Sequence, residues 1–125
     1  MANRVAGLAH VQVAAPAGCE PEARRFYGEL LGLEEISKPK ALGPSGGVWF
    51  ACGAQELHVG VATRFVAATK AHPALRVADA AALDDLAERL RRADAPVEPD
   101  DRLPGLRRFY TRDPWGNRLE FVSYA

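Results

Sequence analysis

An order of predicted elements that occurs twice limits the possible folds most strongly. His10 opens the stretch AHVQV and His72 opens AHPALRV, 62 residues further along the chain. Each stretch alternates as a strand does, and each is followed by a helical pattern, at 20–32 and at 81–93. Three further short strands follow each helix. A duplication of about 60 residues explains this order and predicts an α+β fold of two βαβββ modules.

Length and charge limit the domain number and the partners. The chain has 125 residues, which predicts one domain, with module one at about 5–62 and module two at about 70–125. Sixteen basic and sixteen acidic residues leave no net charge, which argues against nucleic acid or a membrane surface as partner. Cys19 and Cys52 form no CxxC pair, and no signal peptide or membrane-length apolar run is present. These features predict reduced thiols in a cytoplasmic protein.

Strand parity places all three histidines on polar faces. Alternate residues of a strand face opposite sides of the sheet, so each strand separates into two sets. The polar set contains His10, Gln12, Glu56, His58, His72, Arg76, Arg118 and Glu120. The apolar set shares the opposite face, which the two helices can cover. If the modules lie side by side, the polar face becomes a cleft.

The same offset of 62 residues links His58 to Glu120. Two equivalent strand positions therefore carry His and His in module one, but His and Glu in module two. Imidazole and carboxylate groups suit a divalent transition metal, and three protein ligands leave an open position for catalysis. A lone histidine is more often a satisfied or exposed side chain, but four residues matched in parity and repeat position favour a metal. The pattern predicts His10, His72 and Glu120 as ligands and leaves His58 open.

Three longer motifs span nearly the whole chain: GLAHVQV followed by RRFYGELLGL, then AHPALRVAD, then RRFYTRDPWGNRLEF. In these motifs the chain resembles the vicinal oxygen chelate superfamily, which includes glyoxalase I, fosfomycin-resistance transferases, extradiol dioxygenases and bleomycin-resistance proteins. The resemblance implies a cupped, eight-stranded mixed sheet around a metal, with a helix on the outer face of each module. It maps the ligands onto His10, His72 and Glu120. His58 is then a fourth ligand or a catalytic acid or base beside the metal.

The resemblance also implies substrate contacts on the polar face. The family keeps a substrate-contacting tyrosine near Tyr110, and Arg108 has the same parity. Arg76 lies two residues after His72, where its planar guanidinium can hold a carboxylate or phosphonate, although a salt bridge is the alternative. Arg108 is alternatively part of a solvated edge strand. Trp49 either lines the cleft or is a buried aromatic residue.

Two classes of function remain open. The first is an enzyme in which one divalent ion, Zn, Mn, Ni, Co or Fe, acts as a Lewis acid on a small oxygenated substrate, as in an isomerase, a lyase or a thiol transferase. The second is a binding protein that sequesters a small molecule, as bleomycin-resistance proteins do. A single-domain extradiol dioxygenase is also compatible with two histidines and a carboxylate. The resemblance implies a homodimer, with metal ligands from one chain or from both.

Overall fold

The computed structural model describes residues 3–124, which form eight strands and three helical segments. The strands are β1 (His10–Ala15), β2 (Glu34–Ile36), β3 (Val48–Cys52), β4 (Gln55–Val61), β5 (Ala74–Arg76), β6 (Glu98–Asp100), β7 (Leu106–Arg112) and β8 (Arg118–Tyr124). Helix α1 (Glu20–Ala23) continues in π-helical turns over Arg24–Leu30, α2 spans Ala80–Arg92, and a 3₁₀ helix spans Lys40–Ser45.

The strands form two four-stranded sheets with the same topology. The orders are β1-β4-β3-β2 and β5-β8-β7-β6, with the first pair parallel and the others antiparallel in each sheet. The chain divides into two compact units, with the boundary between Phe65 and Val66. This boundary lies in the connector between β4 and β5, residues 62–73. The α+β fold of tandem βαβββ modules is therefore confirmed.

In both units the apolar face of the sheet is buried. In the first unit, Phe50 pairs with Leu57 across β3 and β4, and the Phe50 ring lies 6.0 Å from the ring of Tyr27 in the first helical segment. In the second unit, α2 buries Leu83, Ala87 and Leu90. Asp79 is its N-cap, since Asp79 Oδ1 accepts a hydrogen bond from the Ala82 amide at 2.8 Å. Within residues 3–124, no helix is both long and apolar enough to cross a membrane.

β5 is shorter than the stretch AHPALRV that predicts it. The strand predicted at 71–77 is only Ala74–Arg76, so His72 precedes it. Pro73 has no N–H to donate to a sheet ladder, which explains why β5 begins after it. β6 is equally short, at Glu98–Asp100. The 3₁₀ helix was not predicted, because the Pro- and Gly-rich segment there indicates a loop.

The DPWGN motif forms a turn that holds the connector before β5. Asp113 Oδ1 accepts hydrogen bonds from the amides of Trp115 and Asn117 at 3.0 and 2.9 Å, and Asn117 Nδ2 donates to Asp113 Oδ2 at 2.8 Å. Asn117 Oδ1 accepts from the Ala68 amide at 3.0 Å. Gly116 has a φ of 94°, which a residue with a Cβ rarely adopts. The buried Asn117 side chain thus joins the turn before β8 to the segment that leads to His72.

Candidate functional site

Two predicted metal ligands are in contact in the second unit. Glu120 lies on β8 opposite Ala74 of β5, and its exposed fraction is 7%. His72 lies two residues before Ala74, in the segment that leads into β5. His72 Nε2 is 3.1 Å from Glu120 Oε1. The sheet register thus brings the imidazole and the carboxylate together.

The other nitrogen of His72 defines its tautomer. Nδ1 lies 2.9 Å from the carbonyl oxygen of Lys70. A carbonyl oxygen only accepts, so Nδ1 carries a hydrogen and donates it. Backbone carbonyls hold metal-binding histidines in the same way, with the free nitrogen directed at the metal.

The separation of the two donor atoms also fits a metal. Zinc lies about 2.0–2.2 Å from nitrogen and oxygen ligands in tetrahedral geometry, so two ligand atoms are about 3.4 Å apart, and octahedral coordination brings them to about 3 Å. The Nε2–Oε1 distance is 3.1 Å. Either a proton or a cation can hold these atoms at this distance. His72 and Glu120 are therefore chemically and geometrically suitable as a ligand pair.

Arg108 approaches the same carboxylate from its other oxygen. Its Nη1 lies 3.5 Å from Glu120 Oε2, and its Nη2 lies 3.5 Å from Asp100 Oδ2. Its Nε is buried and has no hydrogen-bond partner in the described chain. Asp100 is bound more closely by Arg102, whose hydrogen bonds hold the pKa of that carboxyl well below its usual range. Arg108 is therefore a largely buried cation between two carboxylates, with a close bond to neither.

Tyr110 forms the aromatic part of this site. It lies on β7 directly opposite Glu120, and only 8% of it is exposed. The His72 ring meets its ring edge to face, with centroids 5.5 Å apart. The guanidinium carbon of Arg118 lies 3.9 Å from the Tyr110 ring centroid, which is a close cation–π contact. Arg108 and Tyr110 lie on the same face of the sheet as Glu120.

In the first unit, three predicted residues form a stack of rings. The His58 ring is parallel to the Trp49 ring, with centroids 3.8 Å apart and an interplanar angle of 3°. The His10 ring stacks on His58 at 4.2 Å and 18°. His58 is buried, with 4% exposed, and its Nε2 is 2.8 Å from Glu56 Oε1. Trp49 thus contacts His58 in this structure.

The predicted site residues therefore fall into two groups. His72, Glu120, Arg108 and Tyr110 are together in the second unit, and His10, His58 and Trp49 are together in the first.

Arg76 belongs to neither group. It is exposed on β5 opposite Val122, and it makes no side-chain hydrogen bond or ion pair within residues 3–124. Within residues 3–124 as the structure places them, no three or more His, Cys, Asp or Glu side chains lie close enough together to share a metal ion. The predicted ligand His10 belongs to the first unit.

Three groups that contact the predicted site residues were not predicted from the sequence. Arg118 and Glu56 have the parity of the polar face, so their position was predictable, but their partners Tyr110 and His58 were not. The Lys70 carbonyl carries no side-chain signal. Parity identifies the face of a residue, and only the folded backbone shows which neighbour it contacts.

The two cysteines are free thiols outside both groups. Burial raises the pKa of the Cys19 thiol and, separately, that of the Cys52 thiol. A raised pKa lowers the fraction of reactive thiolate. Neither cysteine has the environment of an activated nucleophile.

Comparison with known proteins defines the class. Residues 7–121 match the family described as the Glyoxalase/Bleomycin resistance protein/Dioxygenase superfamily. The chain therefore belongs to this superfamily, which confirms the resemblance seen in its motifs. No curated protein matches the chain.

Solved structures share its fold. A glyoxalase family protein from Bacillus anthracis is 48% identical over 100% of both chains, with a TM-score of 0.93. Lactoylglutathione lyase from Agrobacterium tumefaciens is 24% identical, with 97% of this chain and 96% of that chain covered and a TM-score of 0.75. The fosfomycin resistance protein FosX from Listeria monocytogenes is 17% identical, with 97% and 93% covered and a TM-score of 0.79. The last two show similarity of fold alone.

Proposed function

We propose that the chain is a divalent-metal-dependent enzyme that acts on a small oxygenated substrate, as an isomerase, a lyase or a thiol transferase. The ligands in this proposal are His10, His72 and Glu120. The observation that carries it is the contact between His72 Nε2 and Glu120 Oε1 at 3.1 Å, with Nδ1 of the same ring bound to the Lys70 carbonyl. Superfamily membership supports the same class.

The chain's own groups are suited to hold such a substrate. When bound, the cation supplies Lewis-acid polarisation of substrate oxygens. Arg108 lies 3.5 Å from the Glu120 oxygen that His72 does not contact, so its charge stabilises the Glu120 carboxylate. The Tyr110 hydroxyl is a hydrogen-bond donor on the same face as Glu120.

An assay of substrate conversion by metal-loaded protein distinguishes an enzyme from a protein that only binds a small molecule. Protein loaded with Zn, Mn, Ni, Co or Fe is incubated with an α-hydroxy ketone, an epoxide with a thiol, or a catechol in air, and products are measured by mass spectrometry. We expect metal-dependent conversion of one substrate that stops when a chelator is added. Stoichiometric binding without conversion would instead support a sequestering protein. Conversion of catechol alone, with Fe(II) alone, would support a dioxygenase.

Arg76 is proposed to bind an anionic group of the substrate. Arg76 and Arg108 lie in one row across the sheet, on either side of Val122, in the row next to Glu120. Arg76 has no carboxylate partner within residues 3–124, so its guanidinium donors are available to a ligand. A carboxylate or phosphonate matches these donors in geometry and charge.

The Arg76→Met variant tests this contact. We expect its affinity for methylphosphonate, measured by NMR titration of chelator-treated protein, to fall about tenfold, because a charge-assisted hydrogen bond contributes about 1.5–3 kcal/mol. Arg107→Met is the matched control, since Arg107 pairs with Asp84 of α2 on the opposite face, at 2.6 Å. Equal losses in both variants would indicate a general effect of charge and contradict the assignment.

The proposal extends to a homodimer. Each four-stranded sheet ends in two edge strands, and unpaired backbone groups on an edge favour pairing with another chain. Light scattering at micromolar concentration tests this, and a monomeric mass would contradict it.

A further inference from the structure

The ring stack around His58 orients one predicted metal ligand. His10, His58 and Trp49 lie on the neighbouring strands β1, β4 and β3, with β4 in the middle. His10 and Trp49 therefore cover opposite faces of the His58 ring. The centroid distances of 4.2 and 3.8 Å leave no room for another group between the rings.

His58 itself is held in place from its edge. Its Nε2 donates to Glu56 Oε1 at 2.8 Å, and the residue is 4% exposed. With both faces covered and one nitrogen bonded, the ring has little freedom to rotate. The nitrogen that binds Glu56 is also not free to bind a metal.

His10 lacks the hydrogen bond that holds His72. His72 donates from Nδ1 to the Lys70 carbonyl, whereas His10 makes no side-chain hydrogen bond within the described residues. The contact that the structure shows for the His10 side chain is the ring stack on His58. Metal-binding histidines depend on outer contacts for their orientation. For His10 this contact is an aromatic face.

We infer that His58 is a positioning residue: its ring, held between Trp49 and His10 and bound at Nε2 by Glu56, fixes the orientation of the His10 imidazole. This inference rests on the proposed function, in which His10 is a metal ligand. It gives His58 a role distinct from that of a fourth ligand or of a catalytic acid or base. It also adds Glu56 as the residue that holds His58.

Replacement of His58 by two different residues separates these roles. The variant His58→Phe keeps a flat ring in the stack, whereas the variant His58→Ala removes the ring. We expect His58→Phe to retain zinc affinity within about threefold of wild type and His58→Ala to lose about 10- to 100-fold, the usual cost of losing an outer contact of a metal ligand. A loss in His58→Phe as large as in His58→Ala would overturn the inference.

A second measurement needs no metal. Stacked rings shift the NMR signals of the His10 ring protons in chelator-treated protein, and these signals are simple to assign because the chain has three histidines. We expect them to move towards random-coil values in His58→Ala and to stay shifted in His58→Phe. Unchanged signals in His58→Ala would show that the stack does not orient His10. If wild-type protein binds no metal but the shifts behave as expected, the proposed function fails and the stack stands.

Trp49→Leu provides a further variant if His58→Ala does not fold. It removes the outer ring and leaves the contact between His58 and His10. We expect an intermediate change in the His10 signals and a smaller loss of zinc affinity. No change in either measurement would contradict a stack in which Trp49 supports His58.

Discussion

His72→Ala is expected to abolish the retention of a divalent metal. The proposed site retains about one ion per chain in tag-free wild-type protein, and the variant loses one of three ligands. We expect its affinity to fall more than about 100-fold, since loss of an outer contact alone costs about 10- to 100-fold. Elemental mass spectrometry of the two proteins purified in parallel measures the loss and identifies the metal.

Matched carboxylate variants complete this test. Glu120→Gln removes a proposed ligand charge next to His72, whereas Glu98→Gln changes an exposed carboxylate opposite Tyr110 on the same face. We expect the first to lose the metal and the second to keep it. Equal metal content in wild type and all three variants would place the metal elsewhere. No metal in wild type, even after incubation with excess Zn, Mn, Ni and Fe(II), would contradict the metal proposal.

Asn117→Ala is expected to have a large effect on stability. The Asn117 side chain is buried and bonds to Asp113 on one side and to the Ala68 amide on the other. Its loss leaves a buried carboxylate oxygen and a backbone amide without these partners, which costs about 2–4 kcal/mol. For a chain of this size, this corresponds to a decrease in melting temperature of roughly 8–15 °C.

Calorimetry and hydrogen exchange together test the role of Asn117. Exchange of the Ala68 amide is expected to become fast in the variant, because its acceptor is gone. Asn3→Ala is the control, since Asn3 is the other asparagine of the chain and is exposed. A decrease in the free energy of unfolding of less than about 1 kcal/mol would contradict a structural role for this turn.

The sequence predicted the fold well because duplication and alternation are local signals. The offset of 62 residues and strand parity were enough to place His58 and Glu120 at equivalent positions. In the structure, each of these residues contacts the predicted ligand histidine of its own unit, His10 for His58 and His72 for Glu120. The DPWGN motif is visible in the sequence, but its bond to the connector is not, because the Ala68 amide carries no side-chain signal.

The contacts within each group depended on three-dimensional features that parity does not contain. Glu56 and His58 share a face, but their bond depends on side-chain rotamers. The alternation in AHPALRV predicts a start of β5 that is too early, because Pro73 has no N–H to donate to the sheet. Arg118 was assigned to the polar face without a role, since stacking on Tyr110 depends on the antiparallel register of β7 and β8.

The equivalence of His58 and Glu120 has an evolutionary consequence. A duplicated gene lets one copy of a position change while the other keeps its chemistry. Here the second copy holds an acid that contacts an imidazole, and the first holds an imidazole packed between aromatic rings. Mutations at the first copy can therefore adjust the orientation of a neighbouring side chain without altering the acid. Because the two halves have diverged, a substitution at this position changes the acid in one half or the ring stack in the other, and each change can be selected separately.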